Sequence, residues 1–270
     1  MNAKNLVLSL VAAAAAALSA GESAASSGRD LRLEPAPVKR LDTASLQRGA
    51  RNFASYCLNC HSAKFMRYNR LADLGLTEDQ IRENFVFGNQ KLGDVMTVAM
   101  RPGDAKAWFG APPPDLSVIS RVRGSDWLYN YFLGFYADPS SATGWNNLVF
   151  PSVGMPHVLW QLSGTPKLVT TEFKDHESAA GAAIASKGLA LVEPLPGGKF
   201  ALRTIATEAP GTMNAVEYKT FVTDLVNYLD YMGEPMRNQR ISLGLGVLIF
   251  LGVLFFFAYW LKREYWKDVH

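Results

Sequence analysis

The chain has 270 residues, enough for one domain of about 200 residues with accessory segments or for two small domains. Hydrophobic residues make up 49% of the composition and charged residues 19%, which excludes an intrinsically disordered chain. The formal net charge is +3, and acidic and basic residues are interleaved without a basic block. Nucleic acid is therefore not expected as a partner.

The first 25 residues have the pattern of a secretory signal peptide. Lys4 precedes an apolar run from Leu6 to Ala20, and small residues follow that run. The run is too short to span a bilayer, which needs about 20 apolar residues. An N-terminal membrane anchor is the alternative interpretation, and the early charge at Glu22 disfavours it. We predict a signal peptide at residues 1–25, cleaved between Gly21 and Ser27.

A second apolar run, residues 241–261, contains 21 residues without a charge. At 1.5 Å per residue, a helix of that length covers the roughly 30 Å hydrocarbon core of a bilayer. Tyrosine and tryptophan residues and three basic residues follow within a few positions, which is typical of a cytoplasmic membrane boundary. The sequence predicts a transmembrane helix at 241–261, a cytoplasmic tail at 262–270 and an exported domain at 26–240.

The only two cysteines of the chain stand in the run Cys57-Leu-Asn-Cys60-His61. Two thiols at this spacing can form thioethers to the two vinyl groups of one haem, and the adjacent imidazole then serves as the fifth iron ligand. A redox dithiol and half of a zinc site are the alternatives. A zinc site would need a second ligand pair, and the three other histidines are isolated. We predict one covalent haem c held by Cys57 and Cys60 and ligated by His61.

Apolar residues upstream of this motif recur with helical spacing, at Leu46, Ala50, Phe53, Cys57 and Cys60. They predict a helix that begins near Asp42 or Thr43 and presents its apolar face to the haem. Further along, Thr77–Gly88 and Ser125–Tyr136 are predicted helices, and Met100–Ser117 is a predicted proline-rich loop. Leu189–Glu193 and Lys199–Ile205 predict a small β-hairpin.

An electron-transfer haem needs a sixth ligand, and a methionine thioether favours ferrous iron. The available side chains are Met66, Met96, Met100, Met155, Met213, Met232, Met236, His157 and His176. Met213 directly precedes Asn214, which with Glu217 begins a capped helix, so Met213 is anchored without belonging to that helix's packing face. Met155 is its rival, because it also lies in a turn-rich loop. The residues favour Met213 and leave Met155 open.

Five motifs occur in the order found in cytochrome c1, the haem subunit of respiratory complex III: Cys57–Leu71, Met100–Gly103, Pro113–Ser117, Gly154–Pro156 and Gly211–Met213. Over residues 35–265 the chain resembles the cytochrome c1 family, since soluble cytochromes c share only the first motif. Residues 165–207 have no clear counterpart in the mitochondrial members, and their role stays open.

The resemblance implies Met213 as the sixth ligand and Arg123 as a partner of a haem propionate, with Arg121 as the less favoured neighbour. A guanidinium can offset a propionate bidentately without losing its proton. Pro114 is predicted as a further haem contact. The expected fold is mainly α-helical, a class I cytochrome c-like haem domain with long loops and a small β-hairpin, plus the C-terminal transmembrane helix.

The implied function is electron transfer within the quinol:cytochrome c oxidoreductase of a bacterial inner membrane, with the haem domain in the periplasm. One electron would come from a Rieske iron–sulfur protein and pass to a cytochrome c, and cytochrome b would be a neighbouring subunit. No substrate bond would be made or broken on this chain. The alternatives are an anchored cytochrome c serving a terminal oxidase, and a haem sensor or enzyme with an open sixth position.

Overall fold

The computed structural model of the protein describes residues 30–98 and 100–267. The predicted signal peptide and residues 268–270 of the predicted tail lie outside these described residues. Within them the chain forms nine α-helices and eight β-strands. Helices predominate and the sheets are small, so the predicted fold class is confirmed.

The helices, in chain order, are α1 (Thr43–Tyr56), α2 (Glu78–Phe85), α3 (Pro102–Phe109), α4 (Ile119–Arg123), α5 (Ser125–Leu133), α6 (Trp160–Ser163), α7 (His176–Ala185), α8 (Ala215–Gly233) and α9 (Arg237–Tyr265). The strands are β1 (Asp30–Arg32), β2 (Ala63–Arg67), β3 (Val95–Met96), β4 (Phe135–Ala137), β5 (Trp145–Asn147), β6 (Thr165–Phe173), β7 (Ala190–Pro194) and β8 (Phe200–Ala209). Two 3₁₀ segments lie at Tyr68–Leu74 and Pro196–Gly198.

Side-chain caps fix where the predicted helices begin. The Asp42 carboxylate accepts a backbone N–H three residues on and starts α1. Thr77 with Gln80, and Asn214 with Glu217, form reciprocal capping boxes at the starts of α2 and α8. Each cap satisfies N–H groups that have no partner inside the helix. The starts agree with the positions that the sequence predicts.

The proline-rich segment departs from the sequence prediction, because α3 forms within the predicted loop. Pro102 occupies the first helical turn, where its missing N–H costs nothing. Asp104 in that turn pairs with Arg101 at 3.2 Å, and Gly110 ends the helix with a φ of +80°. Ala105 is buried and ties the helix to the rest of the fold. The remaining residues, 111–117, stay irregular.

By their internal contacts, the described residues divide into two compact units. The larger unit comprises residues 33–169 and 205–267, and the smaller comprises residues 30–32 and 170–204. Helices α1 and α8 form the centre of the larger unit's core, where the Phe53 and Tyr228 rings lie 5.6 Å apart. Arg48 Nε donates to Asp224 Oδ2 at 2.6 Å and joins the same two helices. This helix pair carries the cysteine motif, which follows α1 directly.

The smaller unit is built around the β7–β8 hairpin, which the sequence predicts. The sheet has the strand order β1, β7, β8, β6, and β7 pairs antiparallel with both β1 and β8. Val192 lies opposite Leu202 in the register. Ala179 and Ala183 of α7 pack against these strands and form a small separate core. Strand β6 and helix α7 are additions that the sequence prediction lacked.

Helix α9 contains the predicted membrane span. Residues Gln239–Tyr265 are long and apolar enough to cross a bilayer, and they form the one such helix in the described part of the chain. The helix extends four residues beyond the predicted span of 241–261 at each end. Its apolar side chains from Ile241 to Leu261 are exposed. A lipid environment is what such a surface requires.

Candidate functional site

A cavity of about 350 Å³ opens in the larger unit next to the cysteine motif. This volume lies within the range of about 300–1,000 Å³ that is typical of small-molecule and cofactor sites. The side chains around it are mostly aromatic, aliphatic or proline. The residues that line it are Tyr56, Cys57, Cys60, His61, Phe109, Ala111, Pro112, Pro113, Pro114, Leu116, Ile119, Arg123, Trp127, Leu128, Tyr131, Phe132, Phe150, Val153, Gly154, Met155, Pro156, Val158 and Leu229.

The end of α1 folds the cysteine motif onto one wall of the cavity. The Cys57 N–H donates to the Phe53 carbonyl at 2.9 Å, which closes the helix. The N–H groups of Cys60 and His61 then donate to the Cys57 carbonyl at 3.0 and 2.8 Å. This tight turn brings Cys57, Cys60 and His61 to the wall of the same cavity. Covalent attachment of one haem at this spacing requires such an arrangement.

His61 is oriented by the backbone of the proline-rich segment. Its Nδ1 lies 2.7 Å from the carbonyl oxygen of Pro114. A proline carbonyl only accepts hydrogen bonds, so Nδ1 carries the proton and donates it. Nε2 is therefore unprotonated in the neutral ring and keeps a lone pair for a metal. Burial lowers the pKa of His61, which favours this neutral form. The predicted contact residue Pro114 thus lines the cavity and also touches the imidazole.

Cys57 and Cys60 form no disulfide with each other. Burial raises the pKa of Cys57 to about 12, with a smaller contribution from the neighbouring Cys60, whose own pKa is also raised by burial. A raised pKa keeps both thiols protonated at neutral pH. The described residues hold no group of three or more His, Cys, Asp or Glu side chains that could bind a metal ion. A zinc site therefore gains no support.

Arg123 is the one charged side chain among the described residues that line the cavity. Its guanidinium carbon lies 4.9 Å from the ring centroid of Trp127 and 5.8 Å from that of Phe150. None of the ion pairs between described residues involves Arg123. Arg121 is exposed and does not line the cavity. The structure therefore separates the two arginines and leaves Arg123 available to an anion.

The two rival methionines occupy different places. Met155 lines the cavity, and the hydroxyl of Tyr131 donates to its Sδ at 3.4 Å. Met213 is not among the lining residues. It packs half-buried against the core, and its N–H donates to the Leu162 carbonyl at 3.1 Å. The sequence favours Met213 because it is anchored just before α8. In the structure Met213 does directly precede Asn214, the cap of α8. The fold does not bring Met213 to the cavity wall, so the geometry favours Met155.

Five of the remaining sixth-ligand candidates have other roles in the structure. Met66, Met96 and Met232 are buried in the core of the larger unit. His157 is also buried, stacks on Phe135 with ring centroids 4.7 Å apart, and has its pKa lowered to about 4 by burial. In the smaller unit His176 is exposed and lies 3.1 Å from Asp30.

An aromatic wall of the cavity escaped the sequence prediction. Trp127 and Tyr131 stack with their ring centroids 5.0 Å apart and their planes at 12°. Burial raises the pKa of Tyr131. The signal was present in the sequence, because Trp127, Leu128, Tyr131 and Phe132 recur at helical spacing along α5. That stripe is equally typical of ordinary core packing, so only the tertiary structure assigns it to the cavity.

The residues around the cavity fit a covalent haem. Cys57, Cys60 and His61 line one wall of a largely apolar space, and the Nε2 of His61 is free. Arg123 lines the same cavity. Haem is an apolar macrocycle with anionic propionates, so it needs an apolar cavity with a cation beside it. Met155 supplies a thioether to the same cavity.

The chain is similar to known proteins along most of its length. The sequence model of the Cytochrome C1 family matches residues 34–269. The chain is 45% identical over 245 residues to cytochrome c1 of Allochromatium vinosum, and the match covers 90% of this chain and 92% of that protein. It is 46% identical over 245 residues to the ammonia monooxygenase gamma subunit of Nitrosomonas europaea, and the match covers 91% of this chain and 92% of that protein. A protein named cytochrome b/c1 from Bradyrhizobium diazoefficiens is 24% identical, and the match covers 87% of this chain and 34% of that protein.

Proposed function

Because the chain belongs to the Cytochrome C1 family, whose members are haem electron-transfer subunits of the bc1 complex, we propose that it accepts one electron from a Rieske iron–sulfur protein and passes it to a cytochrome c. The observation that carries this proposal is the convergence of Cys57, Cys60 and His61 on one apolar cavity, with His61 Nε2 free to bind iron. When bound, haem supplies reversible one-electron exchange.

In this proposal each residue of the site has a distinct task. Cys57 and Cys60 would hold the haem through thioethers, and His61 would ligate its iron. The Pro114 carbonyl keeps the proton on His61 Nδ1 and so fixes which nitrogen faces the metal. Arg123 compensates a propionate charge.

We assign the sixth position to Met155, since Met155 lines the cavity and Met213 does not. The test compares Met155→Leu with Met213→Leu, because leucine keeps most of the packing volume. Met155→Leu is expected to remove the near-infrared band of ferric thioether ligation and to open the iron to carbon monoxide. Met213→Leu is expected to keep the band and to leave the iron closed to carbon monoxide, as in the parent protein. The reverse pattern would restore the assignment of Met213 that the family motifs imply.

Attachment to a membrane follows from α9 and from the bacterial relatives. We further propose that this membrane is the bacterial inner membrane and that the haem domain faces the periplasm. The basic residues after the apolar span then lie on the cytoplasmic side, as positive charges near a membrane helix usually do. Protease accessibility in intact spheroplasts tests the orientation: digestion should remove the haem domain and leave the C-terminal tail protected.

Copurification tests the assignment to the complex. Gentle solubilisation followed by affinity purification should bring down a b-type cytochrome and a Rieske iron–sulfur protein with this chain. Recovery of the chain with a terminal oxidase or with a monooxygenase, and without those two proteins, would contradict the proposal. Ready carbon monoxide binding by the unmodified protein would instead support a sensor or an enzyme with an open iron position.

A further inference from the structure

Tyr131 connects two parts of the cavity wall to which the proposed function gives separate tasks. Its hydroxyl donates a hydrogen bond to Met155 Sδ at 3.4 Å. Its ring stacks on Trp127, and the Arg123 guanidinium lies 4.9 Å from the centroid of that same Trp127 ring. A continuous chain of contacts therefore runs from the proposed propionate partner, through two stacked rings and one hydrogen bond, to the proposed sixth ligand.

The position of the Tyr131 ring is fixed from several sides. Besides the stack on Trp127, the ring makes edge contacts with Phe132 at 5.7 Å and with Phe135 at 5.1 Å, measured between centroids. Stacked and edge-to-face contacts are the favoured arrangements of aromatic pairs, and they hold the ring in place. The hydroxyl is therefore held against Met155 by packing rather than by the weak hydrogen bond itself.

We propose that Tyr131 is a positioning residue that tunes the reduction potential of the haem through its hydrogen bond to the Met155 sulfur. This inference rests on the proposed function, and in particular on Met155 as the sixth ligand. A hydrogen bond to a thioether draws electron density from sulfur, so the sulfur gives less density to iron. Weaker donation favours the ferrous state, because ferric iron gains more from an electron-rich ligand. The Tyr131 hydroxyl therefore raises the midpoint potential.

The test is Tyr131→Phe in the full-length, haem-loaded chain, because phenylalanine keeps the ring in the stack and removes only the hydroxyl. Haem content and the near-infrared thioether band are expected to match the parent protein. The midpoint potential, measured by redox titration, is expected to fall. A threefold change in the reduction equilibrium corresponds to about 28 mV, at 59 mV per tenfold change for one electron.

The matched control is Tyr129→Phe, which removes a hydroxyl from the same helix. Tyr129 is 2% exposed and does not line the cavity. Loss of the Tyr129 hydroxyl is expected to leave the midpoint potential of the haem unchanged. If both tyrosine variants lower the potential equally, the effect belongs to the packing of α5 and the specific role of Tyr131 is overturned.

Met155→Leu separates failure of this inference from failure of the proposed function. If that variant loses the thioether band while Tyr131→Phe keeps the parent potential, Met155 remains the ligand and the tuning role is overturned. If Met155→Leu keeps the thioether band, the ligand assignment is wrong and the inference falls with it. If Tyr131→Phe lowers the potential, Tyr129→Phe does not, and Met155→Leu loses the thioether band, the results support both the ligand assignment and the tuning role of Tyr131.

Discussion

Gly49 of α1 and Asp224 of α8 meet backbone to backbone. A Cβ atom at position 49 would lie 2.0 Å from the Asp224 carbonyl oxygen and 2.7 Å from the Cβ atom of Tyr228. Real Cβ atoms essentially never come closer than 3.0 Å, so the two helices can approach this closely only because residue 49 has no side chain. The cysteine motif follows α1 directly, so this crossing sets where the haem-binding residues lie.

Gly49→Ala should therefore destabilise the larger unit strongly. Adding a methylene to a packed core commonly costs about 1–3 kcal/mol, and here the obstacle is backbone, which cannot rotate away. We expect the free energy of unfolding to fall by an amount at or above the upper end of that range, and haem incorporation to be reduced. Urea unfolding monitored by haem absorbance measures the change in the free energy of unfolding.

The matched control for that substitution is Gly181→Ala. Gly181 lies exposed within α7, and a Cβ atom added there would meet no other atom within 4 Å. Alanine at this position should be neutral or should stabilise the helix by about 0.5–1 kcal/mol. Equal effects of the two alanine substitutions would show that the Gly49 crossing is not a close contact in solution.

Replacement of Cys57 or Cys60 by alanine should leave haem attached through one thioether. The remaining vinyl group extends the conjugation of the ring, so the pyridine haemochrome band should move to the red. The double variant should lose haem on a denaturing gel. An unchanged haemochrome spectrum in either single variant would show that the replaced cysteine carries no thioether.

Arg123→Gln should lower the midpoint potential, because a cation beside the haem favours the reduced form. Arg123 is exposed to solvent, so the shift should shrink as ionic strength rises and screening increases. Arg121→Gln is the matched control, since Arg121 is exposed on the same helix but does not line the cavity. Redox titrations at low and high salt compare the two, and a larger effect for Arg121 would reverse their assignments.

Removal of residues 241–270 should release a folded, haem-loaded and water-soluble domain. The apolar side chains described in this segment are exposed, and none of them belongs to the core of the larger unit. The Arg240–Glu234 ion pair stays in the shortened chain. Fractionation and an absorption spectrum provide the measurement. Aggregation or loss of haem would show that the segment takes part in folding the haem domain.

Features that depend on neighbours along the chain were predictable from the sequence. The helix starts at Asp42, Thr77 and Asn214 follow from local capping, which acts within three residues. The β7–β8 hairpin follows from two short strands around a Pro-Gly-Gly turn. Helix α3 was missed because three prolines downstream made the whole segment typical of a loop, although Pro102 itself suits a helix start.

The haem attachment motif and the apolar membrane span are each contained in contiguous residues, and the family is indicated by five short motifs in a fixed order. All three could therefore be predicted from the sequence. Which side chains surround the cavity depends on the folded chain, and the sequence did not predict it. His61 meets the Pro114 carbonyl across 53 positions, and Tyr131 meets Met155 across 24. Such contacts depend on how helices and loops pack, and the spacing of residues within one segment does not predict that packing. Met155 lies on the cavity wall and Met213 does not for the same reason: their loops are equally turn-rich, and only the packed fold separates them.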